Sequence, residues 1–278
     1  MKFALSTNWC NRRLEDGKAI AEKALALGFD ELELGFHTTL AQVAGFKAML
    51  DQIPVGSVHA FCPVPLSAPQ GYPELYQLAN PDEDGRRIAR FHVVKNIEFA
   101  AEMGAATVVL HAGRVPSDGF GHCFGWDKRG AVERRTKRGA KFVEILKAEL
   151  GILQPVLEQH RVTLALENLP YLEGFPNESE LKAVTGEWVR GWFDTGHDYV
   201  RQQHGWKTAE LPEELLVGMH IQDSCGDDDH LPPGEGKIDF AALKGLAMKV
   251  RHLVLEPSHT VKADELRKGL DFIRKTWS

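Results

Sequence analysis

The sequence predicts a single (β/α)8 TIM barrel, an α/β fold in which eight parallel strands alternate with helices and close on themselves. Three observations predict this fold. Eight short apolar segments recur along the 278 residues, amphipathic helical segments separate them, and no change of composition marks a linker. We expect one domain covering residues 1–278, because single barrels of this class commonly reach this length.

The predicted strands are apolar almost throughout, which is typical of parallel strands buried on both faces. They lie at residues 3–6, 32–35, 57–61, 107–111, 163–167, 191–194, 217–221 and 253–256. The helical segments lie at residues 15–27, 40–52, 88–103, 143–159, 178–184, 240–249 and 263–277. Gly28 and Gly104 follow two of these helices, as expected at helix ends. An open doubly wound sheet is the alternative, and the lack of a G-x-G-x-x-G turn after the first strand weakens it.

Composition narrows the class of protein. The chain is 43% hydrophobic and 26% charged, as in an ordinary globular domain, and the segment at its start is not an apolar leader. No stretch approaches the roughly 20 apolar residues that span a membrane, so we expect a soluble, cytoplasmic protein without a membrane partner. The four cysteines are too widely spaced for a disulfide framework or a cysteine-based zinc site.

The net charge of the chain bears on whether nucleic acid is a partner. A formal net charge of -6 argues against nucleic acid as a partner, although it does not exclude one. The densest basic run, at residues 128–141, is interpreted as a solvated helix face. A homo-oligomer is left open.

Six of the predicted strands end on side chains of the kinds that bind metals. These are His59, His111, Glu167, Asp194, His220 and Glu256. Because a barrel brings the carboxyl ends of its strands to one mouth, we expect these side chains to converge. Buried carboxylates that face one another repel without a cation, and a set of imidazoles and carboxylates suits Zn, Mn, Co or Fe. The sequence therefore predicts a divalent metal site.

The loops after the strands offer further candidates. His197 follows the strand of Asp194, and Asp228, Asp229 and His230 lie in the loop after His220. The long connections at 62–85 and 112–130 are expected to be ordered lids over the mouth, because long loops in such folds are usually functional. From them we expect Arg114 and Trp126, together with His197, to contact substrate. The turn around Gly234 and Gly236 is weak evidence for a phosphate cradle.

Four segments resemble the xylose-isomerase-like TIM-barrel superfamily, which includes sugar isomerases and epimerases and metal-dependent AP endonucleases. They are LALEN at 164–168, WFDTGH at 192–197, HIQDS at 220–224 and HLPPGEG at 230–236. The resemblance implies a central metal on Glu167, Asp194, His220 and Glu256. By analogy with the endonucleases it implies two further zinc sites, one on His59, His111 and Glu167 and the other on His197, Asp228 and His230. One to three ions of Mn, Zn or Co would then bind.

The resemblance leaves the branch open. The segments at 57–63 and 231–236 look more like the sugar-active members than like the endonucleases. We therefore expect a metal-dependent isomerase or epimerase of a carbohydrate or sugar phosphate, which moves a proton through an enediolate with Glu167 and Glu256 as catalytic acid and base. The alternatives are an AP endonuclease-like phosphodiesterase with a zinc cluster and a sugar lyase or dehydratase. A non-catalytic barrel is disfavoured because no ligand position is lost.

Overall fold

A computed structural model describes residues 1–118, 128–207 and 209–278 of the protein, and it confirms the barrel. The strands of these residues are β1 (Ala4–Ser6), β2 (Glu31–Leu34), β3 (Val55–His59), β4 (Thr107–Leu110), β5 (Gly113–Arg114), β6 (Thr163–Glu167), β7 (Gly174–Phe175), β8 (Val189–Asp194), β9 (Leu216–Ile221), β10 (Asp223–Cys225), β11 (Asp228–Leu231) and β12 (His252–Leu255). Eight of them form a closed parallel barrel in the order β1-β12-β9-β8-β6-β4-β3-β2. Ala4 pairs with Val254, so the first strand meets the last and the sheet has no open edge. The doubly wound alternative is therefore wrong.

The α-helices of the described chain surround this barrel. They are α1 (Gly17–Leu27), α2 (Leu40–Lys47), α3 (Glu83–Glu102), α4 (Lys128–His160), α5 (Glu178–Val184), α6 (Thr195–His204), α7 (Lys244–Ala247) and α8 (Ala263–Trp277). Helix α3 begins earlier than the expected residue 88, because the Asp82 side chain accepts a hydrogen bond from the Gly85 amide and caps the first turn. The expected helix at 240–249 reduces to the single turn of α7.

The barrel interior is packed with side chains and is not a pore. Ala4, Val109, Ala165, Trp192 and Val254 form one buried cluster. The large Trp192 ring fits in the centre because Gly218, which has no side chain, lies opposite it on the neighbouring strand β9. A Cβ atom on Gly218 would lie 2.2 Å from the Trp192 ring, so only glycine fits there. This packed layer supports the mouth of the barrel from below.

Two short antiparallel two-stranded sheets lie beyond the carboxyl ends of the strands. One pairs β5 with β7, and the other pairs β10 with β11. The sequence predictions for Trp126 and for the part of the second lid at residues 119–127 lie outside the described residues. Within the described chain, no helix has both the length and the apolar character needed to cross a membrane.

The basic run at 128–141 is only partly the solvated face that the sequence suggested. Arg135 is buried and forms an ion pair with Glu180, and it also donates to the Gly174 carbonyl. Arg138 pairs with Asp118 on the surface. These arginines thus bind the loops at the mouth to helix α4.

Candidate metal centre

The Nδ1 atom of His220 is the point at which three buried carboxylates meet. It lies 3.1 Å from Oε1 of Glu167, 3.2 Å from Oε2 of Glu256 and 3.6 Å from Oδ2 of Asp194. An imidazole nitrogen carries at most one hydrogen, so it cannot satisfy three carboxylates. The four residues can each place a ligand atom within 4.8 Å of the others, which is the arrangement expected around a divalent ion.

The backbone at the end of β8 fixes the Asp194 carboxylate. Asp194 is the N-cap of α6, and its Oδ1 accepts a hydrogen bond from the His197 amide at 2.7 Å. Its Oδ2 accepts from the Gln222 side chain at 2.7 Å. The strand end, the helix start and the next loop therefore hold one carboxylate in a single orientation.

Glu256 and His220 are held by two side chains that lie beneath them. Asn8 donates to Oε1 of Glu256 at 3.1 Å, which leaves Oε2 for the centre. Glu33 lies behind His220, with its two carboxylate oxygens 3.0 and 3.2 Å from Nε2. Glu33 also accepts a hydrogen bond from the Ser57 hydroxyl at 2.8 Å. With Glu33 accepting at Nε2, Nδ1 is the nitrogen of His220 that would bind a metal ion among the carboxylates, after losing any proton that it carries.

The second oxygen of Glu167 faces two histidines. The Nε2 atoms of His59 and His111 each lie 3.1 Å from Oε2 of Glu167. His59 also groups with Glu167 and His220 as a possible ligand set. His111 belongs to none of the three-ligand groups formed by the described residues. The two imidazoles thus share one oxygen of Glu167, and a zinc site on His59, His111 and Glu167 stays a prediction.

The acid–base properties of the buried carboxyls are strongly perturbed. Burial favours the neutral form of Glu167, but the charges and hydrogen bonds of His220 and His111 hold its pKa well below the ordinary value. For Asp194 burial prevails and raises the pKa. A divalent ion among these carboxyls would favour the ionised form of each of them.

A second possible ligand set lies at the rim of the mouth and differs from the expected one. It consists of His197, Asp229 and His230, whereas Asp228 is exposed. Successive side chains of a strand point to opposite faces, so in β11 only one of the two aspartates can face the mouth. Of the two aspartates of β11, Asp229 is the one that the structure groups with His197 and His230, and Asp228 as a ligand stays a prediction.

A cavity of about 270 Å³ opens above the centre. Its polar lining includes Glu167, His197 and Glu256, and its apolar lining includes Phe36 and Tyr171. The volume lies near the lower end of the roughly 300–1,000 Å³ of small-molecule sites. The site thus combines a carboxylate–histidine centre with a chamber that suits a small ligand.

Arg114 reaches this cavity but is already paired. Its Nε donates to Oε2 of Glu74 at 2.7 Å, and its Nη2 forms an ion pair with the same oxygen at 2.5 Å. The guanidinium lies over the Tyr171 ring, 4.0 Å from the centroid. Glu74 is buried in the loop between β3 and α3, and its Oε1 lies 3.7 Å from Nδ1 of His111. Burial alone would raise the pKa of Glu74, but the neighbouring His111 and the paired Arg114 lower it.

The glycine turn that might have held a phosphate instead holds an internal carboxylate. The amides of Gly234 and Gly236 each donate to Oδ2 of Asp223 at 2.9 Å, and the Ile238 amide donates to Oδ1 at 3.0 Å. A Cβ atom on Gly236 would lie 2.3 Å from Oδ1 of Asp223, so glycine is required for this close approach.

Sequence reasoning missed four of the residues that build the site. Glu33, Asn8, Gln222 and Glu74 do not end a barrel strand, and each acts through a residue that does or lines the cavity. Glu33 is the one that a partial signal marked, since a carboxylate in a strand of a buried parallel sheet needs a partner, but Glu31 of the same strand carries that signal too.

Fold and centre together define the class: a TIM barrel with a buried cluster at its carboxyl mouth that is suited to a metal ion. The family model described as "Xylose isomerase-like TIM barrel" matches residues 21–276. The chain belongs to this family. Comparison with curated protein sequences gave no match.

Solved structures share the whole fold at low sequence identity. The chain is similar to 3-keto-D-glucoside 4-epimerase from E. coli in its apo form, with 16% identity, a TM-score of 0.68 and 99% coverage of both chains. It is similar to D-psicose 3-epimerase from Clostridium cellulolyticum, with 18% identity, a TM-score of 0.66 and full coverage of both chains. A Thermus thermophilus protein soaked with ZnCl2 matches with 22% identity, a TM-score of 0.62, and coverage of 99% of this chain and 96% of that one.

Proposed function

We propose that the protein is a divalent-metal-dependent sugar isomerase or epimerase, in which Glu167 and Glu256 move the proton. The observation that carries the proposal is the meeting of three carboxylates at Nδ1 of His220, on the floor of a cavity of small-ligand size. The activities named for the structural neighbours, a keto-glucoside epimerase and a psicose epimerase, support the same reaction class.

Glu167, Asp194, His220 and Glu256 would hold the ion, and Zn, Mn and Co all suit this donor set. When bound, the ion would polarise a substrate carbonyl and make the adjacent C–H more acidic. Glu167 and Glu256 both line the cavity, so one can take the proton from that carbon while the C–H electron pair forms a C=C bond and the π pair of the substrate carbonyl moves to its oxygen. The other returns a proton, to the neighbouring carbon in an isomerase or to the opposite face of the same carbon in an epimerase.

The positions of the remaining groups support this division of roles. His59 and His111 hold Oε2 of Glu167, and Asn8 holds Oε1 of Glu256, so both carboxylates have fixed orientations. His197 lines the cavity and its Nδ1 faces the Asn168 carbonyl at 2.9 Å. Nε2 of His197 is then the ring nitrogen that would contact a substrate oxygen.

An AP endonuclease-like phosphodiesterase is the second candidate, and one observation favours it. His197, Asp229 and His230 form a second possible ligand set beside the first, as a multi-metal phosphodiesterase requires. Against it, Arg135 and Arg138 of the basic run are engaged with Glu180 and Asp118.

The test is solvent deuterium uptake. Protein loaded with Mn is incubated in D2O with a panel of ketoses, and separately with a duplex that contains an abasic site. We expect deuterium at the carbon next to the carbonyl, and its loss in Glu167→Gln with the fold retained. Glu187→Gln removes an exposed carboxylate at the opposite end of β8 and should behave like the unsubstituted protein. Cleavage of the duplex without deuterium uptake would establish the second candidate instead.

A further inference from the structure

The groups at the mouth that could bind an anion are already satisfied by carboxylates of the protein itself. Among the described residues that line the cavity, Arg114 is the only lysine or arginine. Its two donors on one edge, Nε and Nη2, both bind Glu74, and this edge is the one that recognises phosphate in two-point contacts.

His111 is flanked in the same way. Its Nε2 faces Glu167 at 3.1 Å and its Nδ1 faces Glu74 at 3.7 Å, so both ring nitrogens meet carboxylates. A phosphate beside this histidine would lie against two negative charges. The repulsion would act in a buried, poorly screened setting, because Glu74 and Glu167 are 5% and 1% exposed.

The turn around Gly234 and Gly236 is an independent case of hydrogen-bond donors that are already paired with a carboxylate of the protein. The amides of Gly234 and Gly236 point at Asp223 and not at the cavity, and a third amide from Ile238 completes the set. Backbone amides that converge in this way usually hold an anion, and here the anion is a side chain of the same chain.

The remaining lining suits a neutral ligand. Phe36, Tyr72, Pro170 and Tyr171 contribute apolar surface, and Glu74 Oε1 and His111 Nδ1 are buried polar atoms without a hydrogen-bond partner. Hydroxyl groups can both donate to the first atom and accept from the second, which a phosphate cannot do.

We propose that the substrate is an uncharged polyhydroxylated carbonyl compound, and that Glu74 is a specificity residue that excludes the phosphorylated form by holding Arg114. This inference rests on the proposed function. Glu74 acts on substrate choice in two ways: it occupies the guanidinium, and it places its own charge where a phosphate would otherwise lie.

The experiment compares each ketose with its phosphorylated counterpart on the full chain loaded with Mn. The kcat/KM for deuterium uptake is measured for both forms, and the Kd of each is measured by calorimetry. We expect uptake with unphosphorylated ketoses and a kcat/KM for the phosphorylated forms that is lower by about tenfold or more, the value of one hydrogen bond to a charged group. Glu74→Gln should shift the ratio toward the phosphorylated form by about tenfold, because the guanidinium is released.

Two variants keep the test decisive if Glu74→Gln does not fold. Arg114→Ala should leave the ratio between the two forms unchanged, because the guanidinium is not available to phosphate in the original protein. A selective loss of the phosphorylated substrate in Arg114→Ala would overturn the inference. Glu213→Gln removes a surface carboxylate paired with Lys249, and it serves as the control for the chemical change.

The failures of the two proposals are distinguishable. Uptake that favours the phosphorylated forms in the original protein overturns the inference about Glu74 and leaves the isomerase or epimerase proposal standing. No uptake with any ketose of either kind overturns the proposed function and, with it, this inference.

Discussion

Glu33 should govern how tightly the centre binds metal although it is not itself a ligand. It is fully buried in β2, both of its oxygens lie within 3.2 Å of Nε2 of His220, and Ser57 donates to it. Glu33→Gln keeps the size of the side chain and one oxygen that can accept from Nε2. It removes the negative charge that makes His220 a stronger base and a better ligand.

The expected magnitude follows from the geometry. Loss of such a partner of a metal-bound histidine typically lowers metal affinity by about 10- to 100-fold, or about 1.4–2.7 kcal/mol. Because glutamine retains a hydrogen bond to His220, we expect the lower part of this range, about tenfold. Glu33→Ala leaves Nε2 without an acceptor and also leaves a cavity, so its effect should be larger.

The assay is a competition titration of metal-free protein against a chromogenic chelator, with Mn and with Zn. Glu31→Gln is the matched control, because Glu31 lies on the same strand but pairs with Lys2 at the surface. Thermal unfolding of each metal-free variant verifies that it is folded before the titration. Equal metal affinity in Glu33→Gln and Glu31→Gln would refute the reasoning.

Two other predictions concern acid stability and the rim ligand set. His252 is buried at the opposite end of the barrel, where burial and then the charge of Arg251 lower its pKa to about 4. The unfolded chain binds this proton near pH 6.5, so the contribution of His252 is complete above that pH and is lost as the pH falls toward 4. The free energy of unfolding is measured with urea at pH 7 and at pH 4.5. Its decrease between the two pH values should be about 2 kcal/mol smaller in His252→Gln than in the original protein. An equal decrease in the two proteins contradicts the prediction. At the rim, Asp229→Asn should lower the number of Zn ions bound per chain at saturation, because Asp229 groups with His197 and His230. Asp228→Asn should leave that number unchanged. The same stoichiometry in both variants would contradict the grouping.

The strand-end residues could be predicted from the sequence because barrel topology alone determines where they lie. Glu167 and Asp194 each end a parallel strand, and His220 lies next to the end of one. Closure of the sheet therefore brings them together, whatever the details of packing. The position of these residues in the predicted strands was therefore sufficient to place them at the mouth of the barrel.

Glu33 could not be assigned in this way. Glu31 and Glu33 are two residues apart on β2, so the alternation of the strand directs both to the same side. The register with β3 shifts between Leu32 and Glu33 and sets Glu33 opposite Ser57. Such an irregularity has no signature in the sequence, and of the two carboxylates it is Glu33 that lies behind His220. The choice between Asp228 and Asp229 is equally hard to make from the sequence, since a shift of one residue reverses the face of a side chain.

Arg114 and the glycine turn show a different limit of sequence reasoning. Their chemistry, a free guanidinium and two flexible amides, suggests anion binding when each is considered alone. Whether such a group is free depends on a partner that the sequence does not identify: Glu74 is 40 residues from Arg114, and Asp223 precedes Gly234 by 11. The protein thus supplies its own anions to these donors, whereas the carboxylates of the centre meet at a histidine that can satisfy only one of them. At the mouth the anion-binding donors are therefore paired, whereas the carboxylates are not all paired with a cation. This difference is the physical basis for expecting a bound metal ion and a substrate without charge.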